Sequence, residues 1–168
     1  MKQTLLQEVS SNSTMDSKGR FQLPAVILRK IPAELEGRFV INRGTEKCLR
    51  LYPINNWEHY KTQLGKLNPH KTEMRRAIRY FMGTATELKL DGKNRLLIPQ
   101  SLQEYAGLEK ELLFIPMNEF VEVWNPKLWE EDLDSIRDTA EDTYADMIFE
   151  KEPENYFEED GKYCYNIS

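Results

Sequence analysis

The chain has 168 residues, of which 40% are hydrophobic and 30% are charged, and this composition is typical of one or two small globular domains. Its longest apolar runs are only a few residues, which excludes the run of about 20 apolar residues that a membrane-spanning helix needs. Cys48 and Cys164 are far apart, and the first residues lack the apolar segment of a signal peptide, so we expect reduced thiols in a cytoplasmic protein.

The net charge of −5 is unevenly distributed along the chain. Residues 1–100 contain 18 Lys and Arg residues against 9 Asp and Glu residues, a charge of +9, whereas residues 101–168 contain 5 against 19, a charge of −14. A basic body with an acidic end is typical of a polyanion-binding protein that carries its own screening segment. The alternative is that the acidic end only aids solubility.

In chain order, the first recognisable element is a polar turn that recurs later in the chain. Residues 16–24 read Asp-Ser-Lys-Gly-Arg-Phe-Gln-Leu-Pro, and residues 91–99 read Asp-Gly-Lys-Asn-Arg-Leu-Leu-Ile-Pro. At the same offset of 75 residues, Ile27 matches Leu102 and Phe39 matches Phe114. Because the matched positions agree in residue type and order, we interpret the chain as a tandem duplication.

Each copy predicts a turn, a short strand and a short helix. The fourth residue of the turn is Gly19 in one copy and Asn94 in the other, and these residue types best tolerate a positive φ, so we expect left-handed backbone there. In the strand that follows, alternate residues point to one face, and the next proline suits the first turn of a helix. The predicted core positions are Phe21, Leu23, Ile27 and Ile31 in the first copy and Leu96, Ile98, Leu102 and Ala106 in the second.

Further strands and helices follow each turn. A second pair of strands is predicted in each copy, and the copies are joined by helices, one with Met74, Ala77, Ile78 and Phe81 on a single face. Asn68-Pro69 resembles the start of that helix. A unit of about 50 residues buries little surface alone, so we expect the two units to interlock about an internal pseudo-twofold axis.

The candidate functional residues lie in the two turns, where a lysine and an arginine of each copy flank the left-handed position. An exposed arginine can fork onto the O6 and N7 edge of guanine, and a β-ribbon is narrow enough to enter the major groove of DNA. Alternatively, each Asp–Arg pair only ties its own turn to the sheet. The predicted DNA-binding residues are Lys18, Arg20, Lys93 and Arg95, with both arginines exposed, and the predicted turn-orienting residues are Asp16, Gly19, Asp91 and Asn94.

The sequence gives no signal for a metal, cofactor or catalytic site, and only a weak signal for further DNA contacts. His59 and His70 are not at metal-ligand spacing with either cysteine, so we expect no metal and no cofactor. We find no nucleophile or phosphate-loop motif and expect a protein that is not an enzyme. Basic residues outside the turns are secondary candidates for phosphate contact; they are Arg29, Lys30, Arg43, Lys71, Arg75, Arg76 and Arg79.

The order and spacing of these motifs resemble the MraZ family over roughly residues 7–136. The similar segments are the two Asp-x-x-x-Arg turns, residues 48–53 with Trp57, residues 81–91, residues 97–99 and residues 105–111. The resemblance implies a mixed β fold with short α-helices. In it, two tandem AbrB-like swapped-hairpin units form a pseudo-twofold β-barrel body that is flanked by helices.

The resemblance also implies a function. Such a protein binds double-stranded DNA at direct repeats in promoters, assembles into a ring-shaped homo-oligomer on the nucleoid, and regulates the division and cell-wall gene cluster that includes its own gene. In this family the arginine of each signature is the main DNA-contacting residue, which here means Arg20 and Arg95.

These observations predict five segments and leave one alternative function. The alternative is an AbrB-like protein-binding module of the antitoxin type, in which the acidic C-terminal tail wraps a basic partner. The segments are a first DNA-binding repeat at 7–53, connecting helices at 54–81, a second DNA-binding repeat at 82–125, a C-terminal helix at 126–137 and a mobile acidic tail at 138–168.

Overall fold

The computed structural model describes residues 10–149, except for the side chains of residues 138, 141 and 145–149. This chain divides into two compact units at Glu130 and Glu131. The strands are β1 (Ser11–Thr14), β2 (Arg20–Gln22), β3 (Arg38–Arg43), β4 (Leu49–Pro53), β5 (Thr86–Lys89), β6 (Arg95–Leu97), β7 (Glu111–Pro116) and β8 (Val121–Trp124). The α-helices are α1 (Ala25–Leu28), α2 (Ile54–Gly65), α3 (Thr72–Gly83), α4 (Gln100–Tyr105) and α5 (Pro126–Phe149), and a 3₁₀ helix spans Ala33–Leu35.

The two copies exchange strands. Six strands form one antiparallel sheet in the order β1-β7-β8-β4-β3-β5, and β2 pairs with β6 in a separate antiparallel ribbon. The first strand of each copy therefore lies beside a strand of the other copy, with β1 on β7 and β5 on β3. In the ribbon, Phe21 pairs with its own counterpart, Leu96, as a pseudo-twofold axis requires.

The sheet is open at β1 and β5, and no closed barrel is found among residues 10–149. The polar sequence of β1 suits its position at the edge, where Asn12 and Thr14 are exposed and Ser13 Oγ donates a hydrogen bond to the carbonyl oxygen of Gln22 at 2.8 Å.

The strand pairing corrects one alignment of the two copies. Phe114 pairs with Ser11, and Ile41 pairs with Thr86, which is the counterpart of Ser11. The match of Phe39 with Phe114 is therefore wrong, and Ile41 is the counterpart of Phe114. The segment between the short helix and β3 is two residues longer in the first copy than in the second, and this insertion shifts the offset from 75 to 73.

The main core lies between the inner face of the sheet and the ribbon with its short helices. All predicted core positions are buried there except Ile31, which is partly buried against it. Phe21 is 1% exposed, and its ring lies 5.4 Å from that of Phe114 in the sheet. Burying an apolar side chain of this size contributes about 1.5–3 kcal/mol, so the core fixes which face of the ribbon points outward.

A second cluster covers the outer face of the sheet in the first copy. Tyr52 is buried against Trp57 of α2, with ring centroids 5.4 Å apart. Helix α3 begins at Thr72, later than the Asn68-Pro69 sequence indicated, because Asn68 Oδ1 accepts the backbone N–H of His70 and closes a turn before the helix. The predicted apolar face of α3 is only partly buried.

Helix α5 extends to Phe149, twelve residues beyond the helix end predicted at residue 137. No proline or glycine occurs between Pro126 and Phe149 to end the helix, and acidic residues are compatible with a solvated helix. Leu133, Ile136 and Tyr144 continue the helical spacing, a periodicity that the acidic composition obscured. The rest of the predicted mobile tail, residues 150–168, lies outside the described residues. Within residues 10–149, no helix has both the length and the apolar character needed to cross a membrane.

Candidate nucleic-acid interface

The two turns share one pattern of hydrogen bonds around the aspartate. In the first turn, Asp16 Oδ1 accepts the backbone N–H groups of Lys18 and Arg20 at 2.9 and 3.0 Å. Its second oxygen, Oδ2, accepts Nε of Arg20 at 2.8 Å. One carboxylate therefore closes the turn and also holds the arginine that follows it.

The second turn repeats this arrangement 75 residues later. Asp91 Oδ1 accepts the backbone N–H groups of Lys93 and Arg95 at 2.8 and 3.0 Å, and Oδ2 accepts Nε of Arg95 at 2.8 Å. Nη2 of Arg95 lies at 2.8 Å from the same oxygen. We call these two Asp–Arg arrangements the tethers.

Both turns contain the predicted left-handed residue. The φ angle is +82° at Gly19 and +57° at Asn94, and the backbone N–H of each residue donates to the carbonyl oxygen of the turn aspartate at 3.0 Å. Glycine and asparagine adopt this conformation at low cost, which explains why these two residue types occupy the same place.

The tethers lower the pKa of both aspartates. The side-chain hydrogen bond from Arg95 is the largest cause for Asp91, whose pKa is lowered to about 2. For Asp16 the backbone hydrogen bond from Arg20 is the largest cause of a pKa below the ordinary value. Both carboxylates are therefore ionised at neutral pH, and each arginine faces a fixed negative charge.

The ribbon places both arginines on one outward face. Arg20 pairs with Leu97, and Gln22 pairs with Arg95, while Phe21 and Leu96 between them point into the core. Because residues opposite each other in a pair share a face, four side chains point to solvent together. Arg20 and Arg95 lie diagonally across the pair, with Cα atoms about 7–8 Å apart. We call these four residues (Arg20, Gln22, Arg95 and Leu97) the outer ribbon face.

The arginines are less exposed than predicted, whereas the lysines are exposed. The side chain of Arg20 is 36% exposed and that of Arg95 is 29% exposed, because each lies against its tethering carboxylate. Lys18 and Lys93 are exposed at the tips of the turns. The turns thus bring all four predicted DNA-binding residues to the rim and face of one ribbon. Gln22 and Leu97 were not predicted to share a face with the arginines, although the two-residue spacing of Gln22 from Arg20 and of Leu97 from Arg95 indicates it.

The surroundings of the two turns differ. Gly19 is buried beneath Gln103, whose Nε2 donates to the carbonyl oxygen of Ile98 at 2.7 Å, and a Cβ atom at position 19 would overlap that nitrogen. Asn94 is exposed, and Leu28 occupies the position equivalent to Gln103. An open groove of about 820 Å³ lies beside the first turn and is lined in part by Lys18 and Leu97.

The other basic candidates lie outside the two ribbon strands. Arg43 stacks over the ring of Tyr105 at 4.5 Å. In α3, Nη1 of Arg75 donates to the carbonyl oxygen of Pro69 at 2.8 Å, so this arginine stabilises the start of its own helix. The remaining secondary candidates are exposed; they are Arg29, Lys30, Lys71, Arg76 and Arg79.

One group of possible metal ligands occurs within residues 10–149. The ligand atoms of Glu46, Cys48 and Glu122 lie within 4.8 Å of one another, and neither histidine belongs to the group. This group of ligands was not predicted from the sequence, because Glu122 belongs to the other copy and lies far from Glu46 and Cys48 in the chain. Oε2 of Glu122 accepts a hydrogen bond from Nε1 of Trp124 at 2.9 Å, and Arg50 is the cross-strand partner of Glu122. A cation bound there would compete with Trp124 and Arg50 for this carboxylate.

Comparison with known proteins identifies the family. The family model described as "MraZ protein, putative antitoxin-like" matches residues 9–79 and 81–149. The match includes residues 137–149, which lie beyond the region where the sequence motifs resemble the family.

Three relatives that carry the name "Transcriptional regulator MraZ" illustrate the similarity. The protein of Halothermothrix orenii is 38% identical over 79% of this chain and 90% of its own length. That of Thermoanaerobacter pseudethanolicus is 37% identical over 70% of this chain and 80% of its own. That of Pediococcus pentosaceus is 30% identical over 80% of this chain and 92% of its own length. With two turns that share one hydrogen-bond pattern and a family match over both repeats, the chain belongs to the MraZ family.

Proposed function

We propose that this protein is a transcription regulator that binds double-stranded DNA in a sequence-specific manner. The observation that carries the proposal is the outer ribbon face, where two tethered arginines point to solvent from one two-stranded ribbon. The name of the curated relatives, which describes them as transcriptional regulators, supports the same function.

The chemistry of the ribbon suits the major groove. This groove is about 12 Å wide and admits a two-stranded ribbon, and an arginine that forks onto guanine O6 and N7 is a common specific contact. The tether of Arg20 uses Nε, so its two terminal nitrogens remain for a base edge. The tether of Arg95 uses Nε and Nη2, which leaves Nη1 and the outward side of Nη2 for a base. Asp16 and Asp91 orient the arginines before DNA arrives, which lowers the entropy cost of binding.

Electrostatics supports binding to the phosphate backbone as well. Lys18 and Lys93 are exposed at the turn tips, and residues 1–100 as a whole carry +9, so we assign to these lysines the contacts with phosphates on either side of the groove. Phosphate contacts fix the position of a protein on the duplex, and base contacts select the sequence. We therefore assign positioning to the lysines and base recognition to the arginines.

The wider biological role is proposed from membership of the family. Residues 7–53 and 82–125 act as the two DNA-binding repeats, joined by the helices of residues 54–81. The protein acts in the cytoplasm, on the nucleoid, as a homo-oligomeric ring bound to direct repeats upstream of the division and cell-wall gene cluster, including its own gene. Mass photometry of the purified protein, alone and with DNA, tests the ring.

The direct test is a fluorescence-anisotropy titration with a duplex from the region upstream of the protein's own gene and with a scrambled duplex of equal length. We expect tighter binding to the native duplex and an affinity that falls steeply with salt, because phosphate contacts release counterions. Equal affinity for both duplexes would contradict sequence-specific binding, and no binding to either at low salt would contradict DNA binding altogether.

A second candidate is a protein-binding module of the antitoxin type. The description of the family model as antitoxin-like favours it, as does the exposure of Leu133, Ile136 and Tyr144 on the acidic helix α5. A stoichiometric basic protein should then co-purify with the wild-type chain and be lost from a variant with Leu133→Ser and Ile136→Ser. Recovery of the chain alone, with DNA binding intact, would exclude this candidate.

A further inference from the structure

The outer ribbon face has a tethered arginine in each half, but the residues beside the two arginines differ. Under the 75-residue repeat, Arg20 is the counterpart of Arg95, and Gln22 is the counterpart of Leu97. Arg20 pairs with Leu97 across the ribbon, and Arg95 pairs with Gln22. Each tethered arginine therefore has a neighbour of different chemistry, an aliphatic side chain in one half and an amide in the other.

Both neighbours are open to a ligand. Leu97 is 52% exposed, the highest exposure of any large hydrophobic residue in the described part of residues 10–130, and Gln22 is also exposed. Cross-strand partners have Cβ atoms about 4.5–5.5 Å apart, so whatever an arginine touches is within reach of its neighbour. The core does not require this difference, because the residues that face inward between them, Phe21 and Leu96, are both apolar.

We infer that Leu97 and Gln22 are specificity-determining residues that make the two halves of the ribbon recognise different bases. In the major groove, an apolar side chain contacts the C5-methyl group of thymine, whereas a glutamine amide pairs with N6 and N7 of adenine. The half that contains Arg20 and Leu97 selects a thymine beside its guanine. The half that contains Arg95 and Gln22 selects an adenine. The pseudo-twofold ribbon thereby reads an asymmetric site, as a directional repeat requires.

This inference rests on the proposed function, and selection from DNA separates the two. Full-length wild-type protein is used to enrich duplexes from a pool with a randomised centre of about 20 base pairs, long enough to include flanking phosphate contacts. The same selection is made with Leu97→Gln and with Gln22→Leu. These variants make the ribbon face symmetric with two amides or with two leucines. Both positions are exposed, so the variants should fold as the wild type does, and thermal unfolding checks this.

We expect the wild type to enrich an asymmetric site. Leu97→Gln should replace its thymine preference with adenine, and Gln22→Leu should do the reverse, so that each variant enriches a more nearly palindromic site. Identical enriched sites for all three proteins would overturn the inference while leaving the proposed function standing. Absence of any enriched site for the wild type would overturn the proposed function itself.

A second measurement tests how much the C5-methyl group of thymine contributes to the affinity. In the site that the wild type enriches, each thymine is replaced in turn by deoxyuridine, which lacks only the C5-methyl group. At one position the affinity of the wild type should fall by about two- to fourfold, the value expected for one buried methyl group, while a Leu97→Ala variant should be insensitive there. Equal sensitivity of the two proteins at every position would overturn the role of Leu97. So would a change in the oligomeric mass of Leu97→Ala, because Leu97 would then contact another copy of the chain.

Discussion

The two turns of this protein form the same tether in different surroundings. In both, one carboxylate oxygen closes the turn and the other holds the arginine at 2.8 Å. Around this shared arrangement, Gly19 is buried beneath Gln103, whereas Asn94 is exposed. The arrangement that both copies keep is the tether, and the features in which they differ are the cover of the turn and the residue beside each arginine.

This comparison separates what the turn needs from what each copy adds. The turn needs an aspartate that can accept hydrogen bonds on both oxygens and a residue that tolerates a positive φ. The cover over Gly19 is a local addition, because the second turn keeps the same hydrogen bonds without it. Substitutions that exchange or remove these features should therefore affect the two copies unequally.

The largest expected effect is the loss of stability when a buried side chain of the ribbon is removed from the core. Phe21→Ala should reduce the free energy of unfolding by about 3–5 kcal/mol, because it leaves a cavity against Phe114 in the core. Leu96→Ala, its counterpart, should cost about 2–5 kcal/mol. Urea denaturation measures both values. A loss below about 1 kcal/mol for either variant would contradict the placement of the ribbon on the core.

A smaller and unequal effect is expected when the left-handed residues are exchanged. Gly19→Asn should destabilise the fold by about 1–3 kcal/mol, because its Cβ atom would overlap Gln103 and lie 3.0 Å from the carbonyl oxygen of Ile98. Asn94→Gly should change stability by less than about 1 kcal/mol. Adding Gln103→Leu to Gly19→Asn should recover part of the loss, since Leu28 occupies the position equivalent to Gln103 relative to the second turn. Equal costs for the two exchanges in thermal unfolding would refute the asymmetry.

Removing the charge of a tether should weaken recognition without unfolding the protein. Asp91→Asn should lower the ratio of specific to scrambled-duplex affinity by about two- to tenfold, the cost of immobilising one long side chain on binding. Asp16→Asn should act in the same direction. Anisotropy titrations with both duplexes measure the ratio, and Glu87→Asn, which removes the partner of Arg38 away from the ribbon, is the control. An unchanged ratio would mean that the tethers do not orient the arginines.

The smallest effect is expected from pH. The lowered pKa of Asp91, about 2, means that its tether stabilises the folded state above the ordinary aspartate pKa and that this contribution is lost as the pH falls from about 4 through 2. Asp16 should behave in the same way, with its pKa also below the ordinary value. Carboxyl carbon chemical shifts followed against pH measure both pKa values. An Asp91 midpoint near 4 would show that its tether is not formed in solution.

Much of this arrangement was predictable because it depends on local chemistry. The repeat, the left-handed positions and the inward-facing residues follow from residue type and two-residue periodicity, and the structure confirms them at Gly19, Asn94, Phe21 and Leu96. The DNA-binding roles of Arg20 and Arg95 remain predictions, since geometry shows where the side chains lie but not what they bind.

The features that were missed depend on long-range or competing effects. The counterpart of Phe114 was misassigned because a two-residue insertion before β3 leaves no signal in residue type. Helix α5 ends later than the sequence predicted, because solvated acidic residues do not end a helix and Leu133, Ile136 and Tyr144 keep the helical spacing. Strands β1 and β5 each pair with a strand of the other copy. Pairing between strands so distant in sequence cannot be predicted from either copy alone.

The most direct test of the central claim compares two double variants in their binding to the duplex from upstream of the gene. Arg20→Ala with Arg95→Ala removes both tethered arginines, and Arg38→Ala with Arg137→Ala removes two ion-paired arginines outside the ribbon, so the charge change is the same. We predict that the ribbon variant loses at least about 30-fold in affinity, as two base contacts of about 1–3 kcal/mol each imply, and no longer distinguishes the native from the scrambled duplex. The control should keep that distinction. If both variants bound equally, the arginines of the ribbon would only hold their own turns, and the DNA-reading surface would lie elsewhere.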